Sequence, residues 1–274
     1  MTSVHYSHYG KPEFWSDYYS REITQSFDWL LPASSIIPLL RSTLRDLSSI
    51  RSAKVLEVGC GISDSLLTLH EAGWTDLTGI DLDPSPIIFQ TNRLTTPQQF
   101  NASTAQQLNA STAQQLNSSI SEPISGIRSP NYVKMDILSH NLPLGSFTHI
   151  LDKALLDSLL SGYSSHKTCS RYLSIIHSLL GPKGTFLLIS TGPPSTRMPL
   201  LSPFSWTVKH SKIAGVSPLQ NKYHLDNLLF DRRALEHNSS EFLAELDKNL
   251  TPVDVKAMDT NRPVYAYFCT KESD

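Results

Sequence analysis

The sequence predicts an α/β protein built on a doubly wound, largely parallel sheet. Three observations point there: short apolar strands alternate with helical patterns from residue 54 to residue 190, the first strand runs into a Gly-x-Gly turn, and residues 185–190 are almost wholly apolar. A strand apolar on both faces is what a parallel sheet covered by helices on each side requires.

The elements follow in order. Residues 54–58 form an apolar run ending at Gly59, and Ser63 or Asp64 can cap a helix whose Leu66, Leu67 and Leu69 run to a stop at Gly73. Residues 76–80 read as a second strand, after which Asp83 and Pro84 supply an N-cap and a proline at the first helical position. Residues 132–135 and 147–151 give the third and fourth strands. Between Ala154 and Leu180, Leu155, Leu156, Leu159, Leu160, Leu173 and Ile176 recur at helical spacing until Gly181-Pro182, before the fifth strand at 185–190. Beyond it, 204–208 and 264–270 read as strands and 225–237 and 241–250 as helices, with Asn238 and Glu241 spaced as a capping box.

Composition excludes several classes. No apolar run approaches the roughly 18 to 20 residues of a membrane span. Lys plus Arg number 23 against 25 Asp plus Glu, a formal net charge of -2 with no basic stripe for a nucleic-acid backbone. Neither membrane nor nucleic acid is therefore an expected partner. Cys60, Cys169 and Cys269 lie far apart and fit neither a disulfide framework nor a zinc site, and the ten histidines show no ligand spacing, so no metal is expected. The first 15 residues lack both an apolar signal region and an Arg-rich transit pattern, which predicts a cytoplasmic protein. Residues 94–121 carry no charge and repeat the octapeptide Asn-Ala-Ser-Thr-Ala-Gln-Gln-Leu at 101–108 and 109–116. That composition buries too little apolar surface to offset ordering entropy and reads as a flexible surface loop.

The strongest chemical signal is the strand 55–58 running into Gly59-Cys60-Gly61. Glycine lets the chain turn sharply and lets a ligand approach backbone at the carboxyl end of a parallel strand, so a nucleotide-like ligand is implied. A dinucleotide fingerprint wants a third glycine or alanine where Asp64 stands. Asp81 ends the second strand 22 residues after Gly59, placed to accept from two ribose hydroxyls, and Asp136 follows the third strand, placed to accept from an adenine amine. Both can equally be helix caps. Glu57, inside an apolar strand, must hydrogen-bond to turn amides or meet the ligand. Cys60 reads as a small space-filler of the turn. Trp15, Tyr18, Tyr19 and Trp29 form either a hydrophobic plug on the sheet or a lid over the ligand. Asp152 and Asp157, around the end of the fourth strand, offer an acceptor edge.

These residues resemble the class I S-adenosylmethionine-dependent methyltransferases over roughly residues 53–190. Phe14-Trp15-Ser16-Asp17-Tyr18-Tyr19, Phe27-Asp28-Trp29, Ile150-Leu151-Asp152-Lys153-Ala154-Leu155-Leu156-Asp157 and the closing Pro263-Val264-Tyr265-Ala266-Tyr267-Phe268 are similar to the methyltransferase-like 13 group, which includes enzymes acting on lysines of translation elongation factor 1A. The resemblance implies a seven-stranded Rossmann-like sheet with the last strand antiparallel, S-adenosylmethionine as cofactor, and protein lysine as substrate, with elongation factor 1A as a partner. It implies cofactor contacts at Trp15, Tyr19, Trp29, Gly59, Asp81, Leu82, Asp136, Ile137 and Lys153, to which the strand and turn add Glu57, Cys60 and Gly61. Asp152 is the expected catalytic group. The group usually has arginine where Tyr18 stands and Gly-Thr where Ala154-Leu155 stand. Small-molecule methyl transfer and a cofactor-binding scaffold are the competing functions. One domain, 1–274, is expected, with 1–52 as an N-terminal extension forming the cofactor lid, 94–128 as a low-complexity insertion and 191–262 as a substrate-side insertion.

Overall fold

The computed structural model describes residues 8–20, 23, 25–44, 49–95, 129–162, 165–213 and 263–273. Seven strands, β1 (Lys54–Val58), β2 (Asp76–Asp81), β3 (Asn131–Lys134), β4 (Phe147–Lys153), β5 (Leu180–Ser190), β6 (Trp206–Ile213) and β7 (Val264–Lys271), form one sheet in the order β3-β2-β1-β4-β5-β7-β6. Strands β1 to β5 are parallel, and β7 runs antiparallel to both β5 and β6. The last strand is thus antiparallel, in a seven-stranded α/β sheet. The strand order reverses between β1 and β4, so the crevice for a ligand opens at their carboxyl ends.

Side chains alternate across the strands and divide the core into two layers. Val55, Leu151, Leu187 and Ile189 meet α2 (Ile36–Arg41) and α4 (Ser65–Glu71) through Ile36, Leu40, Leu66 and Leu69. Leu56, Val58, Ile150, Phe186 and Leu188 meet α7 (Ser165–Leu179) through Tyr172, Leu173 and Ile176. The remaining helices are α1 (Pro12–Tyr19), α3 (Ser49–Ser52), α5 (Pro84–Thr95), α6 (Leu155–Leu160) and α8 (Pro194–Leu201). Asp83 caps α5 as its sequence suggests, accepting from the Ser85 amide at 2.8 Å. Ser63, rather than Asp64, takes the first amide of α4, that of Ser65, at 3.0 Å.

Three elements differ from the sequence reading. The helical stretch 154–180 is two helices, α6 and α7. Strand β5 begins at Leu180, which pairs with Phe147 before the ladder shifts to His149 and Thr185 around Lys183, whose φ is 61°. Strand β6 covers 206–213 rather than 204–208, because it is an edge strand whose Thr207, Lys209, His210, Ser211 and Lys212 are exposed and leave no apolar alternation to read. The helices at 225–237 and 241–250, the capping box at Asn238 and the octapeptide repeat lie outside the described residues. Among the described residues no helix is long and apolar enough to cross a membrane, and no group of three or more His, Cys, Asp or Glu is placed to hold a metal.

Candidate active site

The loop leaving β1 turns on two glycines with left-handed backbone, Gly59 at φ 63° and Gly61 at φ 49°. The Cys60 amide donates to the Ile80 carbonyl at 3.0 Å, tying this turn to the end of β2. A Cβ on Gly61 would lie 2.8 Å from the Tyr19 hydroxyl, and one on Gly59 would press on Leu155 at 3.2 Å, so both sites exclude a side chain. Gln90, fully buried on α5, donates to the Ser63 carbonyl at 2.6 Å and braces the loop from below.

Above the turn lies a cavity of about 1140 Å³ that runs along the carboxyl ends of the parallel strands. Gly59, Cys60, Gly61, Asp81, Leu82, Asp136, Ile137 and Lys153 line it from the sheet side, and Trp15, Tyr19 and Trp29 from the N-terminal segment. Asp81 is held rigidly: one oxygen accepts the Gly61 amide at 2.9 Å and the other the Asp83 amide at 3.0 Å. Burial raises its carboxyl above the usual range, against the pull of those amides. Asp136 accepts the Leu138 amide at 2.9 Å and caps the short 3-10 turn Ile137–Ser139 while also facing the cavity.

The N-terminal segment is pinned at several points. Ser16 donates to Asp83 at 2.7 Å, the Phe27 amide donates to the Ile62 carbonyl at 3.0 Å, and the Trp15 indole N–H donates to the Tyr9 carbonyl at 2.7 Å. Trp15 stacks on Tyr19 and meets Trp29 edge-on, with ring centres 6.0 and 5.8 Å apart. The Trp29 indole N–H is shut off from solvent and has no hydrogen-bond partner among the described residues. The aromatics therefore form a packed cluster and the cavity roof at once. Beneath them Asp28, which sequence reading passes over as a site residue, forms a buried ion pair with Lys153. Lys153 also donates to Ser63 at 2.9 Å, and Asp28 accepts the Ala33 amide at 3.0 Å.

Two expected site residues stand elsewhere. Asp152 is fully buried and absent from the cavity wall. It accepts the amides of Leu155 at 2.7 Å and Leu156 at 3.0 Å and the Tyr172 hydroxyl at 2.8 Å, so it anchors the start of α6 and has no free oxygen for a reacting group. Burial pushes its carboxyl up to about 7. Glu57 likewise lies behind the wall, its side chain on the Val55 face of β1, and burial lifts it to about 7 against the attraction of Lys153. The carboxylate that does face the cavity from this side is Asp157, with Thr191 and Arg197 beside it. Only the shared location of Asp157 at the strand end hinted at this, since Thr191 and Arg197 match no motif.

Ala154, where the resemblance leads one to expect glycine, sits in a backbone conformation that suits glycine. It precedes α6 with φ 76°, a left-handed conformation that glycine adopts freely and that costs another residue about 1–2 kcal/mol. Ala154→Gly is expected to leave stability level or raise it by up to about 1 kcal/mol, once the greater entropy of unfolded glycine is subtracted. Denaturant titration checks this, and a loss beyond about 1 kcal/mol contradicts the strain.

No protein-family profile matches the chain. It is 32% identical over 79 residues to methyltransferase srdJ of Neurospora crassa, covering 29% of this chain and 33% of that protein. It is 24% identical over 215 residues to the eEF1A lysine and N-terminal methyltransferase of Bos taurus, covering 76% of this chain and 26% of that one. With EEF1A lysine methyltransferase 4 of Bos taurus it shares 22% over 214 residues, covering 74% and 70%. The chain thus spans a third or less of the length of the first two of these curated relatives. Among solved structures, the phosphoethanolamine N-methyltransferase 2 of Haemonchus contortus, in complex with phosphomonomethylethanolamine and S-adenosylhomocysteine, superimposes with a TM-score of 0.50 at 11% identity, over 90% of this chain and 55% of that one. The chain has the fold of the class I S-adenosylmethionine-dependent methyltransferases and resembles in sequence the lysine methyltransferases of elongation factor 1A.

Proposed function

We propose that the protein is an S-adenosylmethionine-dependent methyltransferase whose acceptor is a lysine amine on a protein, with elongation factor 1A or a protein like it as the candidate substrate. The observation that carries the cofactor part of this reading is the glycine turn after β1 locked to Asp81 at 2.9 Å through the Gly61 amide, while the sequence likeness to the eEF1A lysine methyltransferases supports the acceptor. The residues present fit the cofactor: a side-chain-free turn, a fixed carboxylate at the end of β2, and a shielded indole N–H in the wall that lacks a partner. A cavity of about 1140 Å³ also exceeds what one ligand of ordinary size needs, leaving room for an acceptor.

Asp81 would take the ribose hydroxyls, Leu82, Asp136 and Ile137 the adenine, the Gly59–Gly61 backbone the centre, and Trp15, Tyr19, Trp29 and the stem of Lys153 the methionine end. The bound cofactor supplies an activated methyl group. The chain's part is to align the acceptor and keep water away, because an in-line displacement gains most from proximity and orientation. An amine must be neutral to act as nucleophile, and the desolvating aromatic roof favours its neutral form. A cation beside the amine would favour the neutral form further, but the Lys153 ammonium is neutralised by Asp28 and adds little.

Titration calorimetry with S-adenosylmethionine tests the assignment. Asp81→Ala is expected to weaken binding by about 1–3 kcal/mol, roughly 5- to 150-fold, the range of a lost charge-assisted hydrogen bond. Wild-type affinity in that variant removes Asp81 from the ribose role. Incubating the chain with radiolabelled cofactor and cell extract should label a protein on lysine, whereas label confined to the small-molecule fraction favours the competing small-molecule reading.

A further inference from the structure

At the far end of the cavity from Asp81, the ends of β4 and β5 are joined by a cluster that the binding of a cofactor does not explain. Asp157 on α6 receives four donors. One oxygen accepts the Ser190 hydroxyl and Arg197 Nη2, the latter at 2.7 Å. The other accepts the Thr191 amide at 2.8 Å and the Thr191 hydroxyl at 3.0 Å. Ser190 Oγ in turn accepts Arg197 Nε at 2.9 Å and the Gly192 amide at 3.0 Å, which exhausts its hydrogen-bonding capacity. The Tyr267 hydroxyl clamps the Gly192 carbonyl at 2.6 Å, and a Cβ on Gly192 would collide with the Arg197 guanidinium. The Asp157 and Arg197 side chains are only 17% and 11% exposed, so the pair gives little stability for its desolvation cost; what it provides is a fixed geometry.

The consequence falls on Thr191, which lines the cavity. A carboxylate paired with a guanidinium only accepts, so the single hydroxyl hydrogen of Thr191 is committed to Asp157 and the hydroxyl offers nothing but lone pairs to the cavity. The paired charges beside it cancel. We propose that Thr191 Oγ1 is the acceptor-orienting group of the site: it takes a hydrogen from the N–H of a primary amine, in its ammonium form on arrival and in its neutral form when it reacts, and rejects ligands that carry acceptors alone, such as carboxylates. Asp157 and Arg197 are positioning residues that hold the Thr191 hydroxyl in this one polarity. This rests on the methyltransferase reading above and adds the selection of the acceptor.

Ligand-observed NMR on the full chain saturated with S-adenosylhomocysteine tests it, using n-butylamine as the probe and butyrate as its acceptor-only counterpart. Wild-type protein should bind butylamine and not butyrate, a contrast that depends on no variant's folding. Thr191→Ser, which keeps the hydroxyl, should retain butylamine binding. Thr191→Val, close to it in shape, should lose butylamine binding by about tenfold or more while S-adenosylhomocysteine affinity stays within about twofold, the effect of one hydrogen bond. Equal binding of butyrate and butylamine, no butylamine binding by the wild type, or undiminished binding in Thr191→Val overturns the inference while leaving cofactor binding standing. Failure of S-adenosylhomocysteine to bind the wild-type chain overturns the methyltransferase reading and this inference together.

Discussion

Replacing Lys153 by methionine is expected to destabilise the protein by about 3–5 kcal/mol, a melting shift on the order of 10 °C. The change keeps the apolar stem but leaves Asp28 as an uncompensated charge in a site where both side chains are about 5% exposed. Ser63 and the Ala33 amide still donate to Asp28, but neutral donors do not replace an ammonium. The second change, Asp28→Asn, removes the orphaned charge and can still accept the Ala33 amide, so the double variant Lys153→Met with Asp28→Asn should recover most of the loss. A double-mutant cycle on urea midpoints measures this coupling. Additive losses would mean that the two residues act separately and that the N-terminal segment is held to the sheet by something else.

The second large effect is on ligand binding. Gly61→Ala places a methyl 2.8 Å from the Tyr19 hydroxyl on a residue with φ 49°, so either the turn or the roof must move, and the Gly61 amide is the one that fixes Asp81. Cofactor affinity should fall at least tenfold. The next nearest atom of Tyr19 is 3.8 Å away, an ordinary contact. Tyr19→Phe removes the clashing oxygen, so the double variant should regain most of the affinity, while the left-handed strain of about 1–2 kcal/mol shows as lost stability. Calorimetry on the two single variants and the double variant decides the matter. An equal loss with and without Tyr19→Phe would place the whole effect in the backbone and none in the roof.

Much of the site was legible because it sits on features that are local in the chain. The Gly-x-Gly turn, Asp81 and Asp136 are strand-end residues, and all three line one cavity because successive parallel strands end on the same side of the sheet. The aromatic roof was legible only as a pair of alternatives. The structure packs these rings into one cluster that also lines the cavity, so the features that suggest a plug and those that suggest a lid belong to the same side chains.

Asp152 and Asp157 show where such reading stops. Asp152 lies at the end of β4 and Asp157 just beyond it, and the apolar pattern gives no means of telling them apart. Asp152 turns into the protein because the first turn of α6 needs an acceptor and Tyr172 of α7 needs a partner there. Asp157, on α6 itself, turns toward β5. The direction depends on how α6 packs on residues far along the chain. The same holds for Asp28 and Lys153, 125 residues apart, and for Thr191, whose hydroxyl is oriented by a carboxylate 34 positions earlier.

The sequence by itself determined the first four strands, the parallel run of the first five, the glycine turn and the acids at its flanks, because periodicity and turn chemistry are properties of neighbouring residues. Only the tertiary structure decided which carboxylates face the cavity, which cation is neutralised and which hydroxyl is left with lone pairs alone. Those outcomes are set by desolvation, since a buried charge or hydrogen-bonding group must find its partner in space, wherever along the chain that partner lies.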